Sequence, residues 1–113
     1  MKIVKSTITI AELKEMAKNG IGPLVKAVVD IDKSFIAVDG LMHADLEQIL
    51  LTDGSQQMNL WGINIYPELP ITDRIEFDSM INIRPSQGNM SRSVDNVEVQ
   101  EKIRTIVNEI ISE

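Results

Sequence analysis

The chain has 113 residues, 43% of them hydrophobic and 25% charged, the balance of an ordinary globular domain. Eleven Lys and Arg against 17 Asp and Glu give a formal charge of −6, with no Cys, one His and one Trp. These counts exclude a disulfide scaffold, a Cys-based zinc site and a thiol nucleophile, and the net charge opposes any broad polyanion-binding surface.

Residues 2–5 predict a short strand. No apolar run of signal-peptide length follows them, and no stretch approaches the ~18 to 20 apolar residues of a membrane span. The expectation is therefore a soluble, cytoplasmic protein that does not enter a membrane. Thr9 followed by Glu12 forms a capping box, and Leu13, Met16 and Ala17 share one side of a helix running from about Ile10 to Lys18. Asn19-Gly20 ends it. Gly20-Ile21-Gly22 lacks the third glycine of a dinucleotide fingerprint, and Pro23 follows where amides should point. Leu24 to Ile31 and Phe35 to Val38, rich in β-branched residues, predict a hairpin turned by Asp32-Lys33-Ser34. His43 to Thr52 has helical spacing at Leu46, Ile49 and Leu50, although Ile49-Leu50-Leu51 also suits a strand; helix is the reading taken.

Two further strands are predicted. In Leu60 to Tyr66, Trp61, Ile63 and Ile65 share one face, and Gly62, Asn64 and Tyr66 share the other. In Arg74 to Arg84, Ile75, Phe77, Ser79, Ile81 and Ile83 oppose Glu76, Asp78, Met80, Asn82 and Arg84. A second capping pattern at Asp95 to Glu98 opens a last helix. Its apolar side carries Val99, Ile103, Ile106 and Ile110, and it reaches about Ile111. The order is roughly β-α-β-β-α-β-β-α. This is one α+β domain over residues 1–113, a mostly antiparallel sheet with about three helices covering one face.

Two strings, Leu60-Trp61-Gly62-Ile63-Asn64-Ile65-Tyr66-Pro67 and Glu76 through Asn89, are distinctive. Through them the chain resembles a family of small prokaryotic proteins catalogued only as a domain of unknown function. The likeness runs from the first capped helix to the last and implies a single domain. It implies no activity, substrate or catalytic residue.

Function is sought in local chemistry. Arg84 to Val94 carries two arginines and no acid, so both cations stand unopposed within the segment. Ser86, Gln87, Asn89 and Ser91 add donors, Gly88 permits an amide-exposing turn, and the loop enters the N-terminus of the last helix, where the dipole favours anions. The simpler alternative is a polar loop pinned by its own hydrogen bonds, with Arg84 and Arg92 paired to surface carboxylates. Beside it, Asn64 and Tyr66 across from Asp78, Asn82 and Arg84 would make a ligand floor, or merely the wet face of an antiparallel sheet. His43 and Glu47 stand one helical turn apart, but one His and no Cys is a poor zinc set, and Asp45 there suits a helix start. Phosphate-loop and Gly-x-Ser-x-Gly patterns are absent.

The reading is a small binding module that recognises an anionic ligand or an acidic partner segment through the 84–92 loop and the adjacent strand face. One alternative is a small enzyme using the same loop with Asp78, Tyr66 or His43. Another is a self-associating structural protein, such as a homodimer. No cofactor or metal is expected.

Overall fold

The first helix begins at its expected cap: Thr9 Oγ1 accepts the Glu12 amide at 3.1 Å. The computed structural model describes residues 1–20 and 22–113; Ile21 of the rejected glycine fingerprint lies outside them. Strands β1 (Lys2–Val4) and β2 (Ile8–Thr9) lead into α1 (Ile10–Asn19), and the hairpin β3 (Val25–Asp30) and β4 (Phe35–Val38) follows. Its turn is tied by Asp30, whose Oδ1 accepts the amides of Asp32 and Lys33 at 2.9 Å each. The ambiguous segment is helical, α2 (His43–Thr52); then come β5 (Leu60–Ile65), β6 (Ile75–Glu76), α3 (Val97–Ile110) and β7 (Ile111–Ser112). The cap of α3 is Asn96, not Asp95: its side chain accepts the amides of Glu98 and Val99. Among the described residues, no helix is long and apolar enough to cross a membrane.

The main sheet runs β1-β4-β3-β5-β6, with every neighbouring pair antiparallel, and the α+β expectation holds. A two-residue parallel pair joins β2 to β7, matching Ile8 with Ile111 and Thr9 with Ser112. It fastens the start of α1 to the end of α3, and it is too short to leave a period in the sequence.

The helices do not share one face. Val25, Ala27, Val29, Ile36, Val38, Trp61, Ile63 and Ile65 pack with α1 and α3 through Leu13, Ile103, Val107 and Ile110. Val28, Phe35, Ala37 and Leu60 pack on the opposite side with Leu46 and Leu50 of α2. The face that carries Gly62 and Asn64, expected to be open to water, is therefore covered. The chain around Ser79 and Ile81 packs over Gly62 itself.

That second covering follows from the largest departure from expectation. A strand from Arg74 to Arg84 is predicted, yet only Ile75–Glu76 pair with β5, opposite Ile65 and Asn64. Beyond them the chain leaves the sheet, makes short 3-10 turns at Met80–Asn82 and Pro85–Gln87, and continues the edge with side chains. Asn82 Oδ1 accepts the Gly62 amide at 2.8 Å, and its Nδ2 donates to the Gly62 carbonyl at 2.9 Å. Two residues further along β5, the Arg84 guanidinium donates to the Leu60 carbonyl. Asn64, Gly62 and Leu60 are thus satisfied in turn by backbone, amide and guanidinium. An open strand edge is a template for unwanted pairing, and this arrangement closes it.

Gly62 permits the close approach. A Cβ there would lie 2.6 Å from both Cβ and Oγ of Ser79 and 3.1 Å from Ile81 Cγ1. Gly62→Ala should destabilise the protein by about 2 kcal/mol through this overpacking. Urea unfolding would measure it; an unchanged midpoint would show that the Ser79 turn is not held against β5.

Candidate functional site

The two loop arginines have different fates. Arg84 is 9% exposed. Its Nε donates to the Ile81 carbonyl at 2.9 Å, one Nη to the Gln57 carbonyl at 2.9 Å and the other to Leu60, while the guanidinium stacks 4.6 Å from the Trp61 ring centre. Burial pulls its pKa down, and the charge of Glu47 opposes that shift. Arg84 is a clamp between the loop, the 57–60 segment and the sheet edge.

The neighbouring loop residues serve the same frame. Gln87 donates to the Met58 carbonyl at 3.1 Å, and Gly88, with φ +77°, turns the chain back. Asn89 is 4% exposed; its Nδ2 reaches the carbonyls of Asn82, Ser91 and Ser93, and its Oδ1 accepts the Asp95 amide. The Ser91 hydroxyl donates to Asp95 Oδ1 at 2.6 Å, and the Met90 amide to Oδ2 at 3.0 Å. The Ser91 bond, then the Met90 bond, hold the Asp95 carboxyl below the usual carboxylate range. With Asn96 capping α3 next to this ionised group, the helix N-terminus already has its acceptor and its negative charge. Ser86 stays exposed.

Arg92 differs. Its carbonyl is pinned by the Ser79 amide and by Asn82 Nδ2, both at 3.0 Å. Its Nε donates to Asp78 Oδ1 at 2.6 Å, so this cation is not unopposed. Its two terminal Nη groups have no protein acceptor among the described residues, and the side chain is 53% exposed. A guanidinium held by Nε with both Nη groups facing outward is a fork oriented before any ligand arrives.

Around that fork the strand face assembles. Asn64, 4% exposed, donates through Nδ2 to Glu76 Oε1 at 2.8 Å and to the Asp78 carbonyl, while its Oδ1 is buried without a partner among the described residues. The Tyr66 hydroxyl donates to Glu76 Oε1 at 3.1 Å; burial and that bond raise its pKa, so it stays a donor. Lys26 sits opposite Asn64 in the β3–β5 register and makes no ion pair among the described residues. His43 begins α2 and is buried, with Nε2 2.8 Å from the Ile63 carbonyl.

Burial lowers the His43 pKa most; the Ile63 bond raises it, Lys26 lowers it, Asp78 raises it and Arg92 lowers it. The ring is neutral at pH 7. A carbonyl can only accept, so Nε2 carries the proton and Nδ1 keeps its lone pair. Because the folded pKa lies below the ordinary 6.5, the unfolded chain binds this proton first as pH falls. His43 thus subtracts stability as pH drops through 6.5 towards its folded pKa, and subtracts nothing above that range. Melting curves from pH 7.5 to 5 should fall more steeply for wild type than for His43→Gln; parallel curves would contradict the assignment.

Of the residues expected to form the site, Asn64, Tyr66, Asp78 and Arg92 converge, and His43 joins them. Arg84, Asn82 and Asn89 are placed inside the frame, with Gln87 and Ser91 bonded to it at the surface. Lys26 was not expected; its only signal is the cross-strand match with Asn64, which requires the β3–β5 register. Among the described residues, no group of three or more His, Asp or Glu side chains is disposed to hold a metal ion.

Fold and site together define a small single-domain α+β protein with one oriented, half-exposed arginine at the edge of a covered sheet. The chain belongs to the family described as Protein of unknown function (DUF5674), whose model matches residues 2–110. No curated protein and no solved structure matches it at a significant level.

Proposed function

We propose that the protein is a small binding module for an anionic ligand, received at Arg92 where the loop meets the strand face. The observation that carries this reading is the guanidinium fixed by Nε on Asp78 with both Nη groups free of protein acceptors among the described residues. Lys26 lies on the same side of the sheet, opposite Asn64, as a second cation. Clustered donors and one oriented fork suit a phosphate or carboxylate group, and a single site of this kind is compatible with a chain of charge −6.

Phosphate, sulfate and mononucleotides should raise the wild-type melting temperature, and Arg92→Ala should abolish the rise. The substitution itself should cost less than about 1 kcal/mol, since its exposed ion pair is screened. A wild-type protein unmoved by every anion would overturn the reading.

A second reading is a small enzyme using the same loop with Asp78 and His43, whose ring is within electrostatic reach of Asp78 and Arg92. It requires turnover of a phosphoester or small metabolite that is lost in Asp78→Asn; anion binding without turnover leaves the binding module.

A further inference from the structure

His43 is the single histidine of the chain, 8% exposed, with Nε2 donating to the Ile63 carbonyl at 2.8 Å. A buried ring pinned to a carbonyl is ordinary in a protein core; the surroundings of this one are not. Ile63 precedes Asn64 on β5, Asn64 Nδ2 reaches the Asp78 carbonyl at 3.5 Å, and Asp78 Oδ1 holds Arg92 at 2.6 Å. Three hydrogen bonds, running through Ile63, Asn64 and Asp78, therefore connect the imidazole to the oriented fork. Lys26 stands across from Asn64 on β3.

The charges around the ring belong to that site. β3 supplies Lys26, and the segment after β6 supplies Asp78 and Arg92, all within electrostatic reach of the imidazole. β4, β5 and the 80–82 turn carry no ionisable group. α2 itself carries Asp45 and Glu47, and its N-terminus, where His43 sits, disfavours a cation. Burial, with Lys26 and Arg92, keeps the ring neutral at pH 7.

An anion held on the Nη groups of Arg92 offsets both cations and so favours a proton on the ring. That proton goes to Nδ1, which has no protein partner among the described residues. The bond to Ile63 is kept, because an imidazolium donates from both nitrogens. Charge counting then selects the ligand. Two cations and one carboxylate leave a single net positive charge, and a protonated His43 makes it two, the complement of a dianion.

We propose that the Arg92 site is a proton-coupled receptor for a dianionic oxyanion, in which binding of the anion and protonation of His43 reinforce each other. This rests on the anion-binding reading of Arg92 and adds to it a ligand charge and a pH dependence.

The test uses the full chain and sulfate, which keeps both negative charges from pH 5.5 to 7.5. The imidazole NMR signals of the single histidine report its titration midpoint, and the Arg92 Nε–H signal reports sulfate affinity, at fixed ionic strength. Saturating sulfate should raise the His43 midpoint by about one pH unit. By reciprocity, sulfate affinity should rise up to about tenfold as pH falls from 7.5 to 5.5. Nitrate, a monoanion over this range, should move the midpoint less than half as far. His43→Gln should flatten the pH dependence, and in Arg92→Ala sulfate should leave the midpoint fixed. The wild-type midpoint decides the question even if His43→Gln does not fold. If sulfate moves Arg92 but not the His43 midpoint, the coupling is overturned and the binding module stands; if no sulfate binds at any pH, both fall. A nitrate shift equal to that of sulfate would overturn the dianion.

Discussion

Asn82→Ala should lower the unfolding free energy by about 4 kcal/mol, a large share of what a domain of this size has. Asn82 is fully buried, and its amide satisfies both backbone groups of Gly62 while holding the Arg92 carbonyl. Alanine leaves that N–H and that carbonyl buried without partners on the sheet edge, and each orphaned group costs about 1–3 kcal/mol. Asn82→Asp should be no milder: a carboxylate oxygen would replace Nδ2 and face the carbonyls of Gly62 and Arg92. Denaturant unfolding, followed by fluorescence of Trp61 next to Gly62, gives the comparison directly. A loss under about 1 kcal/mol would mean that water, not Asn82, completes the edge of β5.

Arg84→Ala should cost about 3 kcal/mol, and Arg84→Lys should recover less than half of that. The guanidinium spans three carbonyls at Ile81, Gln57 and Leu60 and sits over the Trp61 ring, 4.6 Å from its centre. An ammonium carries the same charge but neither the fork geometry nor the planar face. If lysine restored full stability, the role of Arg84 would be charge alone, and the clamp described above would be wrong.

These two residues show where sequence reasoning stops. The helices α1 and α3 are legible because an apolar period recurs within one segment, Leu13 and Ala17 after the Thr9 cap and Ile103, Ile106 and Ile110 after a polar start, although the α3 cap is Asn96, one residue beyond the expected Asp95. The segment after Glu76 is misread because its alternation persists after pairing ends. Ile75, Phe77, Ser79 and Ile81 keep the period of a strand, but Asn82 and Arg84 supply by side chain what a strand supplies by backbone. Spacing alone cannot distinguish the two.

The same limit applies to the site. Arg84 and Arg92 look alike as cations in an acid-free stretch. They are separated by contacts remote in sequence: Arg84 reaches residues 57–61, and Arg92 reaches Asp78. Asp78, Asn64 and Tyr66 are legible as one polar strand face. The burial of Asn64 is not, because α2 and the Ser79 turn cover that face from other parts of the chain.

The division of labour between the arginines is the centre of this account, and a phosphate titration of protein labelled with ¹⁵N at arginine tests it most directly. The Nε–H signal of Arg92 should move saturably while that of Arg84 stays fixed, and Arg92→Ala should leave no responding arginine. Movement of Arg84 with Arg92 silent would contradict it.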